Sequence, residues 1–181
     1  MYYIKREEWL KKSITERIKN VNIKPIVIIH HTATPKKEYQ GDINYLDRIH
    51  REKGFIMIGY HFIIAPDGKV FEGRKINEEG AHTKRFNSFL GIALIGNFEE
   101  EEMEKRQLFS LLNFMSYLEK IFFINKFSFH FMLNEKTLCG KKIFDKLVKN
   151  RNKRVFKFPD DLFYNLIGSN PFTEDFSKRR D

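Results

Sequence analysis

The sequence predicts an α/β fold: a central mixed β-sheet flanked by helices, forming one domain. Three observations lead there. Residues 26–29, 60–65, 91–96 and 127–129 are short runs of β-branched, aliphatic or aromatic residues, of strand length and too short for helices. Two amphipathic stretches lie between them, one after Asp42 and one after the acidic run 99–102. The tripeptide Pro66-Asp67-Gly68 joins two apolar runs and reads as a hairpin turn. Strands that alternate with helices argue for a mixed sheet covered by helices.

Taken in order, residues 5–20 mix charged and apolar positions in the manner of a surface helix, and Pro25 then breaks the chain direction. Residues 26–29 form a buried strand that ends at His30 and His31. A polar connection over 35–41 follows. Asp42 can cap a helix whose apolar face is Ile43, Leu46 and Ile49, and Gly54 ends it. Runs 60–65 and 69–72 flank the hairpin turn, where Pro and Asp favour the bend and Gly permits positive φ. Residues 91–96 are another apolar strand. The acidic run 99–102 opens a long helix, because carboxylates suit the positive end of the helix dipole. Leu108, Leu111, Leu112, Met115, Leu118 and Ile121 give that helix a continuous apolar stripe. Residues 127–129 are the last strand, ending at His130. The segment Phe158-Pro159-Asp160-Asp161 starts a short helix that Gly168 stops. Residues 150–181 are thus expected as an extension packed back on a core of about 25–145.

Composition narrows the partners. The chain has 181 residues, 41% of them apolar, enough for one substantial core, and its 19 phenylalanines against one tryptophan should fill much of it. The formal charge of +9 favours anionic partners: cell-wall polymers, nucleic acid or acidic membranes. No zinc-finger, helix-turn-helix or other nucleic-acid motif is present, so nucleic acid is not expected. No apolar run approaches the roughly 20 residues of a membrane span. The start, MYYIKREEWLKK, lacks the apolar segment of a secretory signal, so synthesis in the cytoplasm and release by another route are expected. A single cysteine rules out an internal disulfide.

The chemistry concentrates on histidine and cysteine. His30, His61 and His130 lie in or just after predicted strands, and His82 follows one in a loop. His130 stands nine positions before Cys139. One strand-end histidine reads equally as a hydrogen-bonded structural residue, and a lone cysteine as a small buried hydrophobe. Two strand-end histidines with the cysteine fit zinc better, since zinc accepts imidazole and thiolate in a tetrahedral set and a catalytic site keeps its fourth position for water. Spacing alone leaves open whether His30 reaches the other two.

The segments IVIIHHTAT, HREKGFIMIGYHFIIAPDGKVFEGR, GAHTKRFN and LGIALIGNF, followed by the 130–139 loop, occur in this order. Together they resemble the N-acetylmuramoyl-L-alanine amidase family, which includes peptidoglycan recognition proteins and the amidase-type lysozymes of phages. The match covers roughly residues 25–145. The resemblance implies zinc-dependent hydrolysis of the amide between N-acetylmuramic acid and L-alanine, with peptidoglycan or muropeptides as partners; a monomer is expected. Residue by residue, it implies His30, His130 and Cys139 as zinc ligands and Tyr60 as a hydrogen-bond donor to the developing oxyanion. Thr137, or the adjacent Lys136, would assist at the same oxygen. His61, Arg74, His82 and Asn87 match positions lining the substrate groove, and His31 is not assigned to zinc. The alternative is a non-catalytic peptidoglycan-binding module of the same fold, against which Tyr60 and the complete ligand set argue. The chain departs from the family in Phe55, where Trp is common, and in Arg85, where Gly is usual. Cys139-Gly140 replaces the frequent Cys-Pro-Gly, and the 130–139 loop is one residue longer than common. Lys149, Arg151, Lys153 and Arg154 belong to a basic stretch expected to hold anionic wall polymers, an attraction that salt screens over about 8 Å.

Overall fold

The apolar runs assemble into one five-stranded sheet in the computed structural model, which describes residues 3–124, 126–134 and 136–150. The strands are β1 (Lys24–His31), β2 (Phe62–Ile64), β3 (Val70–Glu72), β4 (Phe89–Leu94) and β5 (Lys126–Phe129), in spatial order β3-β2-β4-β1-β5. β1 runs parallel to both β4 and β5, β2 runs parallel to β4, and β3 is antiparallel to β2. The sheet is therefore mixed, as predicted. Its parallel centre reads as near-continuous apolar sequence because both faces are buried.

The helices are α1 (Arg6–Trp9), α2 (Asn44–Glu52), α3 (Lys105–Phe122), α4 (His130–Leu133) and α5 (Lys141–Asn150), with a 3-10 turn at Lys36–Glu38. Alternation along the strands sorts the core into two layers. Val27, Ile29, Phe62, Ile64, Leu90, Ile92, Phe127 and Phe129 meet Leu111, Phe114, Met115 and Leu118 of α3 and Ile143 and Leu147 of α5. Ile63, Ala65 and Phe71 face the other way, onto Leu46, Tyr45, Tyr39 and Trp9. Phenylalanine fills much of the first layer: Phe62 and Phe114 meet edge to face with centroids 4.7 Å apart. Each such ring contributes about 2–3 kcal/mol of burial free energy.

The hairpin forms where expected. Gly68 takes φ +87 and donates to the Ala65 carbonyl at 2.9 Å, and Asp67 Oδ1 accepts the Lys69 N–H at 3.1 Å. α2 also holds, with Ile43 and Leu46 buried and Ile49 half-buried. Asp42 lies one position before the helix cap and accepts the Asn44 N–H at 2.9 Å.

Four expectations need correction. Residues 5–20 are not a helix beyond the single turn of α1. Backbone pairing to the sheet wins instead: Ile4 exchanges hydrogen bonds with Val70 and Glu72, and Lys19 and Val21 bond Glu79 and Asn77. Trp9 anchors the middle of this path, its indole N–H donating to the Glu72 carbonyl at 2.8 Å. The acidic run 99–102 does not open α3. Glu101 accepts the Lys36 and Asn97 N–H groups at 2.9 and 2.7 Å, which fixes the run as a turn. α3 starts after Glu104, whose N–H donates to Gln107 Oε1 at 3.2 Å. The amide nitrogen of the fully buried Gln107 bonds the Ile64 and Ile95 carbonyls and so fixes the helix start against the sheet. The α3 stripe stops short of Ile121, which is exposed next to the left-handed Phe123, and Phe114 takes a core place instead. Finally, His130 opens the one-turn α4 rather than a plain loop.

Lys149 is exposed on α5, whereas Arg151, Lys153, Arg154 and the 150–181 extension with its helix lie outside the described residues. Among the described residues no helix is long and apolar enough to cross a membrane.

Candidate metal centre

Sheet register brings the distant histidines together. β1 and β5 are parallel neighbours with Ile29 opposite Phe129, so the residues that follow, His30 within β1 and His130 just past the end of β5, emerge at the same level. Both stand at the carboxyl ends of parallel strands, where α/β sheets characteristically present ligand sites. Ile29 packs into the α3 layer, so His30 points to the opposite face.

The third residue arrives through Gly140. It takes φ +89, and a Cβ there would lie 2.9 Å from the Ile29 carbonyl oxygen. Only glycine lets the start of α5 press this closely on β1. Cys139 is thereby set against the His31 peptide, its Sγ 3.4 Å from His31 N and 3.5 Å from His31 O. One ligand atom from each of His30, His130 and Cys139 lies within 4.8 Å of the others, and His30 Nδ1 is 3.9 Å from Cys139 Sγ. Zinc bonds of about 2.0–2.3 Å place the ligand atoms of a tetrahedral set a little under about 4 Å apart, so the cluster has chelating dimensions.

Its protonation state suits a cation. Burial, with the His82 and His130 rings adding, holds His30 well below the ordinary histidine range. Burial also lowers His130, and a neutral imidazole keeps a free lone pair. Burial pushes the Cys139 thiol up to about 11, although the His31 N–H pulls the other way. A bound dication would reverse that by holding the thiolate directly. His30 and Cys139 are buried while His130 is half-buried, so the cluster is accessible from one side.

Tyr60 lies alongside, its ring centroid 5.3 Å from that of His30. Its segment is held from α2 and the hairpin. The Ile58 N–H donates to Asp47 Oδ1 at 3.1 Å, the Gly59 N–H to His50 Nδ1 at 3.1 Å, and the Arg74 N–H to the Tyr60 carbonyl at 2.9 Å. Burial raises the Tyr60 phenol pKa, so it stays protonated as a donor. Thr137 Oγ1 accepts the Cys139 N–H at 3.1 Å and braces the turn before the cysteine, while the Lys136 side chain is exposed. His31, buried, turns its Nε2 to Glu99 at 3.7 Å, away from the cluster.

The remaining expected groove residues have internal partners. His61 has no exposed surface, and its two nitrogens bond the Gly91 N–H and the Glu78 carbonyl. Buried Arg74 donates to the Ile58 and Glu79 carbonyls. Asn87 Oδ1 accepts the His82 and Thr83 N–H groups, both at 3.0 Å. His82 alone of these four touches the cluster, with Nδ1 3.2 Å from His30 Nε2. Sequence reasoning missed Asp47, His50 and Thr83. The legible signal was two polar residues, Asp47 and His50, on the same face of α2 as the apolar Leu46 and Ile43.

His50 provides a pH test. Burial, with the Lys53 and Arg74 charges adding, holds it down to about 4, against about 6.5 when unfolded. Between these values the unfolded chain binds a proton that the folded chain refuses, so stability falls as pH drops through the window. The Tm of the metal-free protein should therefore fall from pH 7 to pH 4.5. His50→Asn keeps an acceptor for the Gly59 N–H and cannot titrate, so its Tm should fall less. Parallel slopes for the two proteins would show that His50 is not held neutral.

Residues 22–139 match the family described as N-acetylmuramoyl-L-alanine amidase. Peptidoglycan-recognition protein 2 of Holotrichia diomphalia is 39% identical over 94 residues, 48% of this chain and 50% of that protein. Peptidoglycan-recognition protein SC2 of Drosophila melanogaster is 32% identical over 111 residues, 58% and 60% of the two chains. The chain thus spans about half to three fifths of the length of these curated relatives. Among solved structures, the endolysin N-acetylmuramoyl-L-alanine amidase LysCS of Clostridium intestinale superposes with a TM-score of 0.63 at 30% identity, over 77% of this chain and 93% of that one. Peptidoglycan recognition protein-LE, solved with tracheal cytotoxin, a monomeric diaminopimelic acid-type peptidoglycan, gives 0.72 at 26% identity over 91% and 96%.

Proposed function

Because the chain belongs to the N-acetylmuramoyl-L-alanine amidase family, we propose that it is a zinc-dependent hydrolase of the amide between N-acetylmuramic acid and L-alanine in peptidoglycan. The observation that carries this reading is the convergence of His30, His130 and Cys139 with Tyr60 beside them. Two neutral imidazoles and a thiol form a donor set suited to zinc. When bound there, zinc supplies a Lewis acid and a water nucleophile active at neutral pH, the two things an amide substrate lacks. The chain's own residues do the rest. Tyr60 keeps its proton and donates to the carbonyl oxygen as negative charge develops there. Thr137 holds the turn that presents Cys139. The half-buried His130 marks the side on which a substrate approaches.

The endolysin neighbour supports catalysis and the cytotoxin-bound neighbour supports a muropeptide ligand, with the bacterial wall as the place of action. The test combines metal analysis with release of free amino termini from purified peptidoglycan. We expect about one zinc per chain and new L-alanine amino termini that a chelator suppresses. Bound zinc and bound peptidoglycan without amine release would instead assign a non-catalytic recognition module, the reading that the names of the curated relatives favour.

A further inference from the structure

We infer that His82 is a positioning residue that fixes the tautomer and rotation of the metal ligand His30. The inference rests on the zinc reading above and goes beyond it by assigning a support to one ligand. Three observations carry it.

The first is a slot built for the His82 ring. A Cβ at Gly80 would lie 2.5 Å from His82 Cδ2, and one at Gly91 would lie 2.6 Å from the same atom. Any side chain at either position would expel the ring, so two glycines on separate segments leave this space to imidazole. The second is the polarity of the ring. His82 Nε2 lies 3.1 Å from the Phe89 carbonyl oxygen, which only accepts, so Nε2 carries the hydrogen. In the neutral ring Nδ1 is then an acceptor. It lies 3.2 Å from His30 Nε2, with Thr83 Oγ1 3.1 Å away on the same side. The third is the brace on the loop: Asn87 Oδ1 accepts the N–H groups of both His82 and Thr83.

The direction of the chain follows. His30 Nε2–H donates to His82 Nδ1, and His82 Nε2–H donates to Phe89. Thr83 Oγ1, 3.4 Å from His30 Nε2, lies beside the same bond. His30 Nδ1, the atom facing Cys139, is left with its lone pair toward the cluster. A hydrogen bond to the second nitrogen of a ligand histidine orients the ring and raises its basicity, and losing one typically costs about 10–100-fold in metal affinity. Here the acceptor is a second histidine anchored to backbone.

The test uses the full chain with zinc and a competing chelator. His82→Ala should weaken zinc binding about 10–100-fold relative to the natural protein. His82→Asn, whose Oδ1 keeps an acceptor near the position of Nδ1, should recover most of that loss, which a purely structural role would not predict. Equal zinc affinity in His82→Ala and the natural protein overturns the inference, whereas absence of zinc from the natural protein overturns the metal reading instead. Should His82→Ala not fold, 15N correlation spectra of the metal-free natural protein decide. They should show His30 protonated at Nε2 and bare at Nδ1; the opposite tautomer overturns the inference.

Discussion

Cys139→Ser should purify with little or no zinc and with amidase activity lowered by about a thousandfold or more. A neutral hydroxyl is a far poorer ligand than a thiolate, and the two histidines left behind do not make a closed site. Metal-ion catalysis is worth several kcal/mol, and each 1.4 kcal/mol is about tenfold in rate. The fold should survive. Cys139 is buried, and its Sγ accepts the His31 N–H, a bond that a serine oxygen also makes. Thermal melting of the metal-free variant should match that of the metal-free natural protein. Added zinc should raise the Tm of the natural protein alone, because an ion that binds only the folded state stabilises it by mass action. Equal zinc content in variant and natural protein would remove Cys139 from the site.

Tyr60→Phe should separate chemistry from metal binding. The ring still packs beside His30 and His50, and the backbone bonds to Arg74 and His50 do not involve the hydroxyl. Zinc content and Tm should therefore stay unchanged. Loss of one donor to a developing oxyanion costs about 3 kcal/mol, so kcat should fall about 10²- to 10³-fold with little change in KM. This pattern is the reverse of that expected for His82→Ala, which acts on affinity for the ion. Unchanged kcat in Tyr60→Phe would mean that the oxygen is stabilised by another group.

The strands and the hairpin were legible because their signals are local: apolar runs of strand length and a Pro-Asp-Gly turn with one positive φ. The 5–20 segment was not, because its conformation is set by backbone partners at Val70, Glu72, Asn77 and Glu79, more than fifty residues away. The start of α3 was misplaced for a similar reason. The buried Gln107 amide fixes it against the sheet, whereas the acidic run beforehand bonds Lys36 and Asn97. At the site, histidine and cysteine types marked the candidates, but their meeting depends on the Ile29–Phe129 register and on the close approach at Gly140. Neither is visible in spacing. Motif resemblance named His61, Arg74 and Asn87, yet each makes its bonds inside the protein. Identity of a residue type in a pattern carries its location well and the direction of its hydrogen bonds poorly.

The adjacency of β1 and β5 also orders the making of the centre in time. Its first ligand, His30, lies within about the first sixth of the 181-residue chain, while His130 and Cys139 follow only after the long α3. A ribosome delivers residues from the amino end, so a growing chain holds one imidazole of the set until a hundred further residues have been added. Strand β5 must then dock on β1 before the second imidazole is at the right level, and the thiol comes nine residues later. Unfinished chains therefore carry an incomplete set of ligands, and the centre comes into being together with β5, the last-made strand and one edge of the sheet.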